Sequence, residues 1–563
     1  MKQFLKIIFK VLKYTGVFIF VLFSLLILYY NFGISIDVPI NTNSEVLKWE
    51  RKKVGEDFYV LGNNWLKKNK QGIWEMYLEG EAFERGVVHG KLAKEMVVRQ
   101  EDEFVGQIKK LIPSKLYLNF LKYFIVWFNR DIDDYVPEEY KKEIYGVSFS
   151  ASSRYDFIGS NYERLLNYHA AHDIGHALQD KNLIPGCTSF SSWDGRTEDS
   201  ALIIGRNFDF FVGEDFAKDK IVCFIKPDSG YKLMFITWAG FTGVVSGMNE
   251  KGLTVTLNAA KSDIPVGSAT PISILAREIL QYSSNIKEAY SIAEKRKTFV
   301  SESIMIGSAE DDKTYIIEKS PSKIDLYETK GNQILCSNHF QGTLFCKMEN
   351  TKERSSVYRY KRLQQLLSRY DKLNERLVAT ILRDRRGVDD VAIGMGNEKA
   401  INQLIAHHSV IFKPKQKLVW VSANPFQLGE YVAYDLRKVF SVSSPKTAST
   451  EITEQNLTIP EDSFLRSRDY ENFLLYKKYK QQFIENKGKK WKVNKDYIEN
   501  FISTNPEFYY TYWLIGDYYK GNEKDFAMAL KYYQTALAKE VPRDNEIEYL
   551  KKAVQTCNEN LLQ

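Results

Sequence analysis

From residue 187 to about residue 260 the chain reads as one hairpin after another, and this run limits the fold more than any other feature. The segments "CTSFSSWD", "ALIIGRNFDF", "KIVCFIK", "KLMFITWAG", "GVVSGM" and "LTVTLNA" are rich in β-branched and aromatic residues. Turn signals separate them at Asp194-Gly195, Pro227-Asp228-Ser229-Gly230 and Asn249-Glu250-Lys251-Gly252. "PISILAREILQYSSNIKEAYSIAEKR" (Pro271 to Arg296) then carries the three-to-four spacing of two helices. "SIMIGSA", "TYIIEKS", "KIDLYET" and "ILCSNHF" return to strands, "SSVYRYKRLQQLLSRY" to a helix, and "HSVIFKP", "KLVWVSA" and "YVAYDL" close with strands. Strand runs interrupted by helix pairs bury their apolar faces as sheets packed face to face with helices outside, an α+β layered architecture.

The flanks read differently. Lys2, Lys6, Lys10 and Lys13 precede an uncharged stretch from Tyr14 to Ile36, long enough to cross a bilayer. No small-x-small cleavage site or lipid-accepting cysteine follows it. The expectation is a retained single-pass anchor, with its N-terminus in the cytoplasm and the catalytic part on the periplasmic or extracellular side. Residues 45 to 182 read as mostly helical, with "FERGVVHGKLAKEMVVRQEDEFVGQIKKLI" and "YERLLNYHAAHDIGHALQD" as helices and Lys181 to Gly186 as an exit loop. Near the C-terminus, "YYTYWLIGDYYKGNEKDFAMALKYYQTALAKEVP" resembles one tetratricopeptide repeat through Tyr512, Gly516, Tyr519, Ala529, Tyr533, Ala536 and Pro542. A single repeat must pack on its neighbours, so a docking surface for a protein partner and a stabilising appendage both remain open. The expected order is a basic N-terminus (1–13), a transmembrane anchor (14–36), a mostly helical propeptide-like region (37–186), a layered core (187–444), a polar linker (445–465) and a helical tail (466–563).

Seventy-eight basic against 71 acidic residues leave a net charge of +7, mild for 563 residues. With no long basic block or aromatic-basic stripe, nucleic acid is not an expected partner. Five cysteines are too few for a disulfide framework and odd in number, which leaves room for a free working thiol.

Cys187 is the candidate for that thiol, because it follows a loop-like Pro185-Gly186 and opens a strand. "GRNFD" puts Arg206 and Asp209 three apart on the next strand, after a turn that brings them back alongside Cys187. A guanidinium there favours thiolate, and a carboxylate can hold an amine. Asn258 and Asn338 fall at strand ends, where a side-chain amide can donate to a developing oxyanion. "SSVYRY" adds Arg359 at the start of a helix.

From Cys187 to about residue 440 these residues resemble the cysteine N-terminal nucleophile (Ntn) hydrolases. The resemblance is to the choloylglycine hydrolase and penicillin V acylase group, and especially to the acyl-coenzyme A:6-aminopenicillanic acid acyltransferase-like group. Cys187-Thr188 matches the nucleophile, Arg206 and Asp209 the Arg-Asn-x-Asp motif, Asn258 and Asn338 the oxyanion and support asparagines, and Arg359 the Ser-Ser-x-x-Arg motif. "EGEAFERGVVHGKL" (Glu79 to Leu92) looks like the propeptide start of the acyltransferase-like group. The resemblance implies a four-layer αββα sandwich and hydrolysis or acyl transfer at a linear amide, with no cofactor. Chemically, a terminal cysteine carries its own base in the α-amine, whose unperturbed pKa is about 7.7 to 8.0. In the intact chain that amine is a peptide nitrogen, so Cys187 first has to cut the chain after Gly186.

Other readings stand beside this one. A papain-like Cys-His pair would draw on His339, His407 or His408, but "PGCTSF" opens a strand where that class uses a helix. His169, His172 and His176 share one helical face with ligand-like spacing, a weak zinc candidate against a packed polar face. Cys223, Cys336, Cys346 and Cys557 read as core residues. A membrane-tethered scaffold with an inactive Ntn core and a partner-binding tail is the non-enzymatic alternative. The substrate is a small amide, and the nearby membrane favours an amphiphilic N-acyl compound.

Overall fold

The computed structural model describes residues 10, 13–25, 28, 36–40, 43–111, 114, 129–170, 186–210, 213, 215–260, 267–346, 355–441 and 451–562. The described strands form two sheets. The larger runs, neighbour to neighbour, through β1 (Lys52–Gly55), β2 (Phe58–Leu61), β3 (Asn64–Lys68), β4 (Trp74–Gly80), β7 (Ile221–Pro227), β8 (Leu233–Thr237), β9 (Ser246–Asn249), β10 (Leu253–Ala259), β11 (Glu302–Ser308), β12 (Lys313–Lys319) and β13 (Ile324–Tyr327). The smaller has the order β14 (Gln333–Cys336), β5 (Thr188–Ser192), β6 (Ile203–Phe208), β15 (His408–Lys413), β16 (Leu418–Ser422) and β17 (Tyr431–Asp435).

Side-chain alternation sorts these strands into four layers. On β7, Val222 and Phe224 face the second sheet, while Ile221, Cys223 and Ile225 face outward. There they join Leu275, Ile279 and Ala289 of the helices Ile272–Tyr282 and Ile286–Lys295. On the other sheet Val410, Phe412, Val419, Val421, Val432 and Tyr434 face inward. Ile411, Trp420, Tyr431 and Ala433 pack outward against Leu363, Leu367, Val378 and Leu382 of the helices Ser355–Ser368 and Glu375–Leu382. A one-residue slip would exchange both faces of a strand, so the register is fixed by two apolar cores at once. The αββα order expected from the sequence is the one observed.

The region before Cys187 departs from the expected helical texture. Residues 52–80 form β1 to β4, and β4 joins the sandwich by parallel pairing with β7, from Trp74 opposite Ile221 to Gly80 opposite Pro227. The partner strand lies far downstream, where no local pattern could reveal it, and the short runs between Asp57, Gly62 and Gly72 break up any long alternation. Behind β4, the helix Ala82–Leu92 crosses Glu138–Ser148 so closely that a β-carbon on Gly86 would fall 2.0 Å from the Glu143 carbonyl oxygen. Buried Arg85 and Arg277 both bind Glu143, at 3.1 and 3.3 Å, and tie these helices to the sandwich.

Among the described residues, no helix is long and apolar enough to cross a membrane. Residues 13–25 are helical, with Tyr14, Phe18 and Phe20 exposed, and the rest of the expected anchor lies largely outside the described residues. At the other end, Ile452 and Ile459 are buried, and Thr453 and Ile459 bridge to Tyr434 and Tyr431, so the second half of the polar segment lies along β17. The helices Arg468–Glu485, Lys495–Thr504, Tyr509–Tyr518, Phe526–Leu537 and Asp544–Leu561 follow, sharing a core with Leu404 and Leu428 of the sandwich. Arg543 pairs with Glu398, and Asn505 exchanges hydrogen bonds of 3.0 and 2.9 Å with the Met395 backbone.

Candidate active site

Antiparallel pairing of β5 and β6 sets Ser189 opposite Arg206 and Thr188 opposite Asn207, so the turn between the strands returns Arg206 and Asp209 to Cys187. Cys187 is 1% exposed. Arg206 shares a face of β6 with Ile204 and with Phe208, over whose ring its guanidinium lies at 4.4 Å, and its Nη2 donates to Cys187 Sγ at 3.8 Å and to the Leu257 carbonyl. Its Nη1 donates to Ser246 Oγ and lies 3.4 Å from His408 Nε2. Burial pushes the Cys187 thiol up to about 11 against the pull of Arg206, so in the uncut chain the sulfur is a neutral thiol.

Asp209 is equally enclosed. Burial lifts its carboxyl to about 7, with Arg359 and then Arg206 pulling the other way. One carboxylate oxygen, Oδ2, accepts from Gln403 Nε2 at 3.2 Å, while Oδ1 has no hydrogen-bond partner among the described residues. The same Gln403 Nε2 donates to the Gly186 carbonyl oxygen at 2.6 Å.

The two asparagines meet the site from different sheets, Asn258 from the facing larger sheet and Asn338 from the end of β14, which pairs with β5 in the smaller one. Asn258, on the inward face of β10, accepts from Ser189 Oγ at 2.7 Å and donates to the Cys336 carbonyl over a long 3.4 Å. Asn338, just after β14, donates to the Ala259 carbonyl at 2.9 Å and accepts from Arg359 Nη2 at 2.5 Å. Arg359 Nη1 reaches the Glu398 carbonyl at 2.7 Å. The structure thus gathers Cys187, Arg206, Asp209, Asn258, Asn338 and Arg359 into one network. Asn338 Nδ2 already holds a backbone carbonyl, whereas the long bond of Asn258 leaves that amide the freer of the two to meet a developing charge.

The alternative partners fall elsewhere. His407 and His408 face each other at 2.9 Å between their Nδ1 atoms, and burial holds both far below the ordinary imidazole range, so neither supplies an imidazolium. Among the described residues no hydrogen bond joins the Cys187 sulfur to a histidine. His339 Nδ1 lies 2.7 Å from Ser356 Oγ. Of the zinc candidates, His169 is buried with Nδ1 on the Leu165 carbonyl and Nε2 on Thr242, and burial lowers it to about 4. His172 and His176 lie outside the described residues, and no group of metal-binding side chains occurs among the described ones. Cys223, Cys336 and Cys557 are buried.

Gln403, Ser189, Ser246 and His408 complete the site, and of these the sequence singled out only His408, in another role. Ser189 was within reach of the period-two rule, since it shares a strand face with Cys187. Gln403 sits in an irregular segment with no pattern to mark it. A small recess of about 50 Å³ next in sequence to Asp209 is lined by Phe104, Phe210, Trp238 and Phe241 together with Gln100 and Glu101.

Residues 196–427 match the family described as acyl-coenzyme A:6-aminopenicillanic acid acyl-transferase, with Cys187 just ahead of the matched segment. An uncharacterized protein of Archaeoglobus fulgidus is 26% identical over 246 residues, 40% of this chain and 40% of its own length. Protein dcd1B of Dictyostelium discoideum is 22% identical over 272 residues, 45% of this chain and 51% of its own. The chain thus matches about half, or less, of these relatives' length. Among solved structures, the Caenorhabditis elegans ortholog of N-acylethanolamine-hydrolyzing acid amidase aligns at 16% identity and a TM-score of 0.30, over 41% of this chain and 93% of its own. A conjugated bile acid hydrolase variant from Clostridium perfringens aligns at 12% and 0.32, over 45% and 93%. Over residues 196–427 the chain is similar to the acyl-coenzyme A:6-aminopenicillanic acid acyl-transferase family, and the Ntn superfamily read from its sequence is the one this match supports.

Proposed function

We propose that the protein is a self-cleaving cysteine hydrolase or acyltransferase that cuts its own chain between Gly186 and Cys187 and then acts on a linear N-acyl amide. The observation that carries this reading is the Cys187 sulfur, buried beside the Arg206 guanidinium and under Asp209, whose Oδ1 has no partner among the described residues. An unpartnered buried carboxylate oxygen is costly, and a freed α-ammonium on Cys187 is a group that would satisfy it.

In the mature enzyme the Cys187 amine takes the thiol proton. The sulfur attacks the substrate carbonyl, and the leaving amine departs with that proton. Water or an acceptor amine then releases the S-acyl group. Asn258 donates to the developing oxyanion, Arg206 favours thiolate, and Arg359 with Asn338 fixes the surrounding carbonyls. The uncharged stretch 14–36 supports a membrane-anchored enzyme facing the periplasm or exterior, and the tail offers a surface for a protein partner.

The test is to trap the intermediate: incubate the full-length protein in detergent with N-acyl amides of graded chain length, quench in acid and map peptides by mass. An acyl adduct on the Cys187 peptide, absent in Cys187→Ala, supports the reading. Amide turnover unaffected by Cys187→Ala contradicts it.

A further inference from the structure

We propose that Gln403 is the residue that polarises the Gly186 carbonyl during self-cleavage, a catalytic group beyond those implied by the family motifs. The inference rests on the reading that Cys187 cuts the chain at Gly186.

Three observations converge on it. Gln403 is 1% exposed, and its Nε2 donates to the Gly186 oxygen at 2.6 Å, the oxygen on which charge must develop when Cys187 attacks. The same nitrogen donates to Asp209 Oδ2 at 3.2 Å. With an oxygen acceptor on each side, the NH₂ end of the amide must face the site. Finally, a β-carbon on Gly186 would lie 2.3 Å from Nε2, 2.6 Å from Oε1 and 2.8 Å from Cδ of Gln403. The glutamine lies against this peptide only because residue 186 has no side chain.

The segment that carries Gln403 is held from several directions. Asn207, the second residue of the Arg-Asn-x-Asp run, faces away from the thiol and donates to the Ile401 carbonyl at 3.0 Å and to that of Leu382 at 2.9 Å. The Asn402 N–H donates to the Asp384 carbonyl at 2.8 Å, and Asn402 Oδ1 accepts from the Leu404 N–H at 2.9 Å. Farther back, Asn397 Nδ2 donates to the Glu540 carbonyl of the tail at 2.9 Å. A donor held this way needs no reorganisation when charge appears.

Cys187 Sγ bonds to the Gly186 carbonyl carbon, and the carbonyl oxygen becomes an oxyanion that accepts from Gln403 Nε2. The carbon–nitrogen bond to Cys187 then breaks, with the thiol proton passing to that nitrogen, and a thioester and a free amine remain. Water hydrolyses the thioester to a Gly186 carboxylate and the Cys187 thiol.

The test is a cell-free synthesis of the full chain in detergent, followed over time on denaturing gels, for wild type, Cys187→Ala, Gln403→Met and Gln403→Glu. Limited proteolysis against Cys187→Ala reports folding. Methionine keeps the length and removes the donor, and its expected effect is cutting about 100-fold slower. Hydroxylamine, which attacks thioesters, does not restore it, because the step lost precedes the thioester. Glutamate has the same shape and a donor only when protonated, so its cutting falls as pH rises from 6 to 9. Wild-type rates in either folded variant at pH 9, or rescue by hydroxylamine, overturn the inference and leave self-cleavage standing. A wild-type chain that never cuts overturns both.

Discussion

A β-carbon on residue 186 would stand 2.3 Å from Gln403 Nε2, so Gly186 and the amide of Gln403 occupy one space that admits no side chain between them. Gly186→Ala must therefore push the amide off the carbonyl. The expected outcome is slower cutting, by about the factor of 100 that loss of one such donor costs. Gly186→Ala combined with Gln403→Met should be no slower than either alone, since both remove the same contact. A time course of the three variants on denaturing gels measures this, and additive losses would separate the two residues.

Arg206 holds the thiol, Ser246 and the Leu257 carbonyl with one buried guanidinium. It is one of the groups pulling the sulfur toward thiolate against the larger effect of burial. Arg206→Gln removes that pull, and alkylation of Cys187 by iodoacetamide at pH 9 is expected to fall by about tenfold or more, the equivalent of one pKa unit. Peptide mass mapping reads the rate, with buried Cys223 and Cys336 as internal references.

Asp209 makes a stability prediction whose sign follows from its raised carboxyl. Its folded value, about 7, lies above the unfolded one, so the folded chain binds the proton more tightly. Ionisation therefore costs stability progressively between about pH 4 and pH 7, and the full cost persists above that window. Asp209→Asn mimics the protonated form. In a Cys187→Ala background, where cutting cannot intervene, it is expected to raise the melting temperature at pH 8 by an amount on the order of 2 to 4 kcal/mol in stability. The gain should shrink toward zero near pH 4. A gain independent of pH, or a loss at pH 8, would show that the carboxylate is stabilised in place.

Cutting after Gly186 should not release the N-terminal piece. β4 lies before the cut and β7 after it, paired from Trp74–Ile221 to Gly80–Pro227 inside the sandwich, and Arg85 reaches Asp228 at 3.0 Å while Glu143 reaches Arg277. The two fragments are expected to elute as one species on gel filtration and to part only in denaturant. Separate elution under native conditions would contradict the pairing.

The parts of this molecule legible in its sequence were those with local periodicity. The hairpins after Cys187 show themselves by alternation and the helix pair 271–296 by three-to-four spacing, and with the later helix and strands read from 355 to 435 they account for the four layers. The return of Arg206 and Asp209 to Cys187 follows from a single turn at Asp194-Gly195. What stayed hidden depends on partners distant in sequence. β4 finds β7 across an intervening stretch of helices, so the region before Cys187 read as helical. Gln403 owes its position to Asn207, Asp384 and a glycine far upstream, and no spacing rule connects them.

Self-cleavage between Gly186 and Cys187 is tested most directly by the chemical identity of the new N-terminus. Full-length wild type and Cys187→Ala, purified side by side, are run on a denaturing gel, and each band is sequenced from its N-terminus. Two fragments in the wild type, the larger beginning Cys-Thr-Ser-Phe, with a single uncut band in Cys187→Ala, is the predicted result. An intact wild-type chain, or a cut that persists in Cys187→Ala, would contradict it.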